Sequence, residues 1–173
     1  KTLDYDLVHI VDGDSFIDDK ILFVKDTLFY TNKNIEINYR NFINEINPKY
    51  NTEKRNFITN QICISKKKLD LLLNVTSNAE ENWIDSFCQV LIKNPEYWFS
   101  EYQLYANFII ENSIEKVKIK EIKVFRRCDL LSIVDINKGL TKYSLLAFEN
   151  SHNGGLIRTL RARFYYFFGI NIG

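Results

Sequence analysis

Hydrophobic and polar positions along this chain follow two rhythms, and the switch between them separates strands from helices. Asp6-Leu7-Val8-His9-Ile10-Val11 is mostly apolar and reads as a buried strand that runs straight into Asp12-Gly13-Asp14. After that turn, Ile21 to Lys25 and Thr27 to Tyr30 have the composition of short strands. Thr31 to Arg55 is polar, rich in asparagine and interrupted by Pro48, and it predicts a long irregular excursion. Phe57 to Ile64 predicts a further strand, after which Ser65 caps a helix carrying Leu69, Leu72 and Leu73.

Asn78 followed by Glu81 has capping-box spacing. It predicts a helix to about Lys93, with Trp83, Phe87, Val90 and Leu91 on one face and Pro95 as its stop. Ser100 opens the next helix, through Glu111. Val117 to Phe125 alternates as a strand does, Leu130 to Val134 and Tyr143 to Glu149 predict shorter ones, and Ser151 to Gly155 reads as a loop. The last element is an amphipathic helix from Leu156 to Phe168, with Leu156, Leu160, Phe164 and Phe168 at four-residue spacing and basic residues Arg158, Arg161 and Arg163. Strands alternating with helices give the α/β class. No repeat, low-complexity segment or linker divides the 173 residues, so residues 1–173 are read as a single domain.

Composition narrows the picture. The hydrophobic share of 46%, with 13 Phe and 10 Tyr, places the chain among folding sequences rather than disordered ones. Lysine and arginine number 23 against 22 acids, a net charge of +1, which gives no nucleic-acid footprint. No apolar run reaches the ~18 residues a membrane span needs. Cys63, Cys88 and Cys128 are odd in number, widely spaced and without a CxxC pair, which reads as buried thiols in a reducing, cytoplasmic setting. The chain starts at Lys1 rather than Met, so the expected start is processed or truncated.

Four segments carry candidate chemistry. Asp12 and Asp14, one residue apart after a strand, can reach one hard cation or its waters, and Gly13 between them permits close approach of a ligand. Asn60 and Gln61 place two amides within an otherwise apolar strand, where a sugar hydroxyl or a backbone group would satisfy them. Ser100 as N-cap sets Glu101 in the first turn of a helix, where the dipole favours its charge, with Tyr102 beside it. His152-Asn153-Gly154-Gly155 lies before a helix start, a setting in which backbone amides can meet a phosphate and an imidazole can add a ligand to Mn²⁺. Each segment also has an ordinary structural reading: a turn, a satisfied amide, a helix-start acid and a loop.

Val11-Asp12-Gly13-Asp14-Ser15-Phe16-Ile17 after an apolar strand resembles the DxD motif of GT-A-fold glycosyltransferases. With Phe57-Ile58-Thr59-Asn60-Gln61, with the run from Phe99 to Phe108, and with His152-Asn153-Gly154-Gly155, it resembles a poorly characterised glycosyltransferase-like family linked to surface-polysaccharide genes. The match spans most of the chain, and the Ser-Glu-Tyr helix start is its most specific part. The resemblance implies a GT-A-like, Rossmann-related mixed sheet flanked by helices. It implies Mn²⁺ or Mg²⁺ held by Asp12, Asp14 and His152 on a nucleotide-sugar diphosphate, and transfer of the sugar to a glycan or polysaccharide acceptor. Glu101 would be the catalytic base. Gly13, Asn60, Gln61, Ser100, Tyr102, Asn153, Gly154 and Gly155 would line the substrate. The expected partners are donor and acceptor, with no nucleic acid, no transmembrane segment and peripheral membrane association left open.

Two departures accompany the resemblance. Family members tend to carry His where Asn60 stands. GT-A enzymes also place roughly a hundred residues before DxD, as the resemblance implies, so this chain is expected to be the DxD-bearing portion without the nucleotide-binding half. A competing reading is a haloacid-dehalogenase-type phosphatase, whose Asp-x-Asp pair also follows an early strand. Here only Asp135 offers itself as a late acid. A third reading is a remnant or binding module that keeps the fold without turnover.

Overall fold

The computed structural model describes residues 7–12, 15–18, 20–21, 27–51, 53–77, 82–112, 117–126, 128, 136–148 and 156–170. It is a mixed α/β fold with three small sheets among the described residues. The first pairs β1 (Leu7–Val11) antiparallel with β5 (Gln61–Ser65). The second orders β2 (Ser15–Ile17), β8 (Leu145–Ala147) and β7 (Val124–Phe125), with β2 antiparallel and β7 parallel to β8. The third orders β4 (Arg55–Asn56), β3 (Thr27–Asn34) and β6 (Lys118–Glu121), with β4 antiparallel and β6 parallel to β3.

The helix at the centre is α4 (Glu101–Asn112), in which every residue from Tyr102 to Ile109 is buried. A helix buried on all sides must satisfy its polar side chains internally. Gln103 does so by accepting from the Phe57 N–H at 2.8 Å and donating to the Arg55 carbonyl at 3.0 Å and to Asn107 Oδ1 at 2.9 Å. Asn107 in turn donates to the Tyr50 carbonyl at 2.6 Å. These two amides, one helical turn apart, hold the chain between Tyr50 and Phe57 against α4. Around it pack α1 (Ile37–Ile46), α2 (Lys66–Thr76) and α3 (Trp83–Lys93), with Phe42, Ile43, Leu72 and Phe87 in the main core. Phe42 meets Phe87 and Phe99 edge-on, at 5.6 and 5.4 Å between ring centroids.

A second centre of packing gathers Phe125, Cys128, Tyr143, Leu146 and Ala162 beneath α5 (Ile136–Leu140) and α6 (Leu156–Phe168). Tyr143 ties it together, donating to the backbone carbonyls of Tyr165 at 2.7 Å and Ile170 at 3.1 Å.

Several expectations need correction. Residues 31–55 are not irregular: β3 continues to Asn34, α1 follows, and Pro48–Tyr50 forms a 3₁₀ turn. Tyr39, Phe42, Ile43 and Ile46 recur at helical spacing there, and all four pack into the main core. The strand foreseen over 57–64 is shorter, since residues 57–60 form a pinned loop and pairing begins at Gln61. Strand β1 is half-exposed rather than buried, because a two-stranded ribbon leaves Val8 and Ile10 facing out. The run 117–125 breaks into β6 and β7, which join different sheets.

Helix α3 starts at Trp83, where Asn82 Oδ1 accepts from the N–H groups of Ile84 at 2.9 Å and Asp85 at 3.1 Å. Asn78–Glu81, most of the Ile21–Lys25 strand and the Leu130–Val134 strand lie outside the described residues. The final helix has the expected bounds, but Leu160, Phe164 and Phe168 face outward, and Ala162 makes the buried contact. Of the cysteines only Cys128 is buried, Cys88 is exposed, and none forms a disulfide. Among the described residues no helix is long and apolar enough to cross a membrane.

Candidate functional site

The antiparallel register of β1 and β5 sets Val11 opposite Gln61. The chain then leaves the ladder with one more bond, from the Asp12 N–H to the Asn60 carbonyl at 3.0 Å. Asp12 thus stands at the carboxyl end of a strand, directly across from Asn60. Asn60 has φ +57°, a left-handed conformation that asparagine tolerates better than most residues. That turn aims its side chain back across the gap, where Nδ2 donates to Asp12 Oδ2 at 2.8 Å.

The other carboxylate oxygen is taken from a third segment. Ser100 Oγ accepts from the Gln103 N–H at 3.4 Å at the start of α4. The first turn so fixed carries Tyr102, whose phenol donates to Asp12 Oδ1 at 2.5 Å. Burial pushes the Tyr102 phenol well above its ordinary value of 10.0. The hydrogen bond to Asp12, the charge of Asp12 and the charge of Glu101 push the same way, while Arg126 pulls against them. Tyr102 therefore remains a protonated donor throughout the neutral range. Glu101 itself is exposed at the helix start.

The loop that presents Asn60 is held at successive residues. Asn56 Oδ1 accepts from the Ile58 N–H at 2.9 Å, Thr59 Oγ1 donates to the Gln61 carbonyl at 2.9 Å, and the Arg126 guanidinium donates to the Ile58 carbonyl. His9 Nε2 donates to Gln61 Oε1 at 2.8 Å, across the β1–β5 ribbon. Gln61 Nε2 is buried with no hydrogen-bond partner among the described residues.

Three of the four segments singled out from the sequence therefore meet. Asp12, Asn60 and Tyr102 touch, with Gln61, Ser100 and Glu101 beside them in the chain. Gly13, Asp14, His152, Asn153, Gly154 and Gly155 lie outside the described residues, as does Asp135. The sequence reading missed Arg126, Gln103 and Asn107. The last two stand inside the run from Phe99 to Phe108 at i and i+4, a spacing that puts two amides on one face of an otherwise apolar helix.

A carboxylate with each oxygen accepting one directed hydrogen bond is fixed in orientation yet keeps a lone pair on each oxygen. Its donor chemistry suits a hard divalent cation. Among the described residues no three His, Cys, Asp or Glu gather into a metal-holding group. No protein-family model, curated protein or solved structure matches the chain.

Proposed function

We propose that the chain is the DxD-bearing portion of a GT-A-like, metal-dependent glycosyltransferase that moves a sugar from a nucleotide-sugar donor to a glycan or polysaccharide acceptor. What supports the reading is the convergence on Asp12 of Asn60 and Tyr102, which brings the ends of the paired strands β1 and β5 together with the start of α4. Such outer partners are what a metal-binding carboxylate needs to hold its orientation.

In this reading Asp12 and Asp14 hold Mn²⁺ or Mg²⁺, with His152 as a further ligand. Bound there, the cation would neutralise charge on the departing diphosphate. Asn60 and Tyr102 fix the Asp12 carboxylate in one plane. The amides of Gly154 and Gly155 add positive dipoles for the phosphates. Glu101, exposed at a helix start, takes the proton from the acceptor hydroxyl.

The test is calorimetry of Mn²⁺ alone on this chain, and of UDP or GDP with Mn²⁺ on the full-length protein, each as wild type and as Asp12→Ala, with circular dichroism to confirm folding. The expected result is Mn²⁺-dependent binding that Asp12→Ala abolishes and Tyr102→Phe weakens about tenfold. Binding unchanged in Asp12→Ala overturns the proposal.

A further inference from the structure

Helix α6 buries its small side. Ala162 is buried, Tyr165 and Tyr166 pack partly against Phe125, Tyr143 and Leu146, and Phe125 and Tyr166 sit edge-on at 5.3 Å. The bulky side faces out: Leu160 is 55% exposed, Phe164 53%, Phe167 70% and Phe168 61%, followed by Ile170 at 40%. At 3.6 residues per turn the four helical positions fall within an arc of about 100° opposite Ala162. The rings touch one another, Phe164 with Phe168 at 4.5 Å and Phe167 with Phe168 at 5.2 Å, so the face is one continuous apolar patch.

The charges that α6 itself carries have one sign. On the helical wheel Arg161 and Arg163 border the arc on its two sides, and Arg158 lies one turn earlier. No acidic residue occurs between Leu156 and Phe168. Arg161 is braced by Nε donating to the Tyr165 hydroxyl at 2.8 Å. Lys142 adds a fourth cation at the end of the helix, its Nζ donating to the Phe167 carbonyl at 3.0 Å and lying 5.4 Å from the centre of the Phe167 ring.

We propose that α6 docks on an anionic lipid surface, with Leu160, Phe164, Phe167 and Phe168 entering the headgroup–acyl boundary and Arg161, Arg163 and Lys142 pairing with lipid phosphates. An aromatic face flanked by cations is the arrangement an in-plane interfacial helix requires, since long basic side chains reach headgroups while the rings sit deeper. A second copy of this chain is the poorer occupant. Pairing α6 with itself would bring two sets of three arginines together, with no acid on either helix to offset them. This inference does not rest on the transferase reading.

Vesicle flotation of the intact chain tests it, using phosphatidylcholine with phosphatidylglycerol against phosphatidylcholine alone. The expected result is flotation on the anionic vesicles that fades as sodium chloride rises. Phe167→Ser/Phe168→Ser and, separately, Arg161→Glu/Arg163→Glu should each weaken binding by about tenfold or more. Circular dichroism should stay unchanged in both, because these side chains are exposed. Three outcomes overturn the proposal: no flotation on anionic vesicles; flotation that the double arginine reversal leaves unchanged; or a dimer by light scattering that Phe167→Ser/Phe168→Ser dissolves in a chain that does not float.

Discussion

The phenol of Tyr102 donates to Oδ1 of Asp12 at 2.5 Å across 90 residues of sequence, and this bond joins the central helix to the end of an edge ribbon. Strand β1 contacts the rest of the fold chiefly through β5, so the Tyr102 bond and the Asn60 bond govern where Asp12 points. Tyr102→Phe keeps the ring and deletes the bond. A hydrogen bond to a charged acceptor is worth about 1.5–3 kcal/mol, and the half-exposed Asp12 recovers part of that from water. The expected loss is therefore about 1–2 kcal/mol in urea unfolding, with the m-value unchanged. A loss below about 0.5 kcal/mol would mean that the bond does not hold the ribbon.

Alkaline pH should expose the same contact. Tyr102 and Tyr143 are both buried, and burial is the largest cause raising each phenol above 10.0. Above that pH the unfolded chain gives up both protons while the folded chain keeps them. Their contribution is thus full below the unfolded value and is lost as pH rises toward the folded one. Urea midpoints should fall between pH about 9 and about 11, at up to about 1.4 kcal/mol per pH unit for each tyrosine. Tyr102→Phe should remove roughly half of that slope. A slope identical in wild type and Tyr102→Phe would show that the phenol is not protected.

Gln103 is fully buried and supplies three hydrogen bonds, two of them to the backbone around Phe57. Gln103→Leu matches its volume roughly but strands the Phe57 N–H, the Arg55 carbonyl and Asn107 Oδ1. The expected cost is about 3 kcal/mol or more, since a buried donor and acceptors lose their partners together. Asn107→Ala alone should cost less. The double variant should fall short of the sum by about 0.5 kcal/mol or more, because the two amides act as one unit. Strict additivity of the two costs would refute that coupling.

The sequence exposes some of this and hides the rest for identifiable reasons. The spans of α4 and α6 are legible because Ser100 caps one, and the other has sustained helical periodicity. Helix α1 is hidden because asparagines surround its apolar positions, although Tyr39, Phe42, Ile43 and Ile46 carry the period. Residue types suggested Asp12, Asn60 and Tyr102 one by one, but their meeting depends on the β1–β5 register and on a left-handed residue at 60. Arg126 gave no sequence signal, since it follows a two-residue strand and binds a backbone carbonyl. The outward roll of α6 was equally illegible: periodicity identifies an apolar face, and only packing decides whether the small or the bulky side turns inward.

Asn60 offers the sharpest test of how the site is built, because its backbone and side chain can be separated. Its φ of +57° costs an ordinary residue about 1 kcal/mol or more and costs glycine almost nothing. Its side chain separately donates to Asp12 Oδ2. Asn60→Gly deletes the second contribution and keeps the first, whereas Asn60→Ala deletes both. Stability should rank wild type, then Gly, then Ala, with Ala below Gly by about 1 kcal/mol in urea unfolding. Asn60→Asp tolerates the backbone but sets a second carboxylate against Asp12, so it should recover stability as acid protonates the pair. If Ala and Gly prove equal, the left-handed turn is not what positions residue 60. If Asn60→Asp shows no gain in acid, the 2.8 Å contact with Asp12 is not maintained in solution.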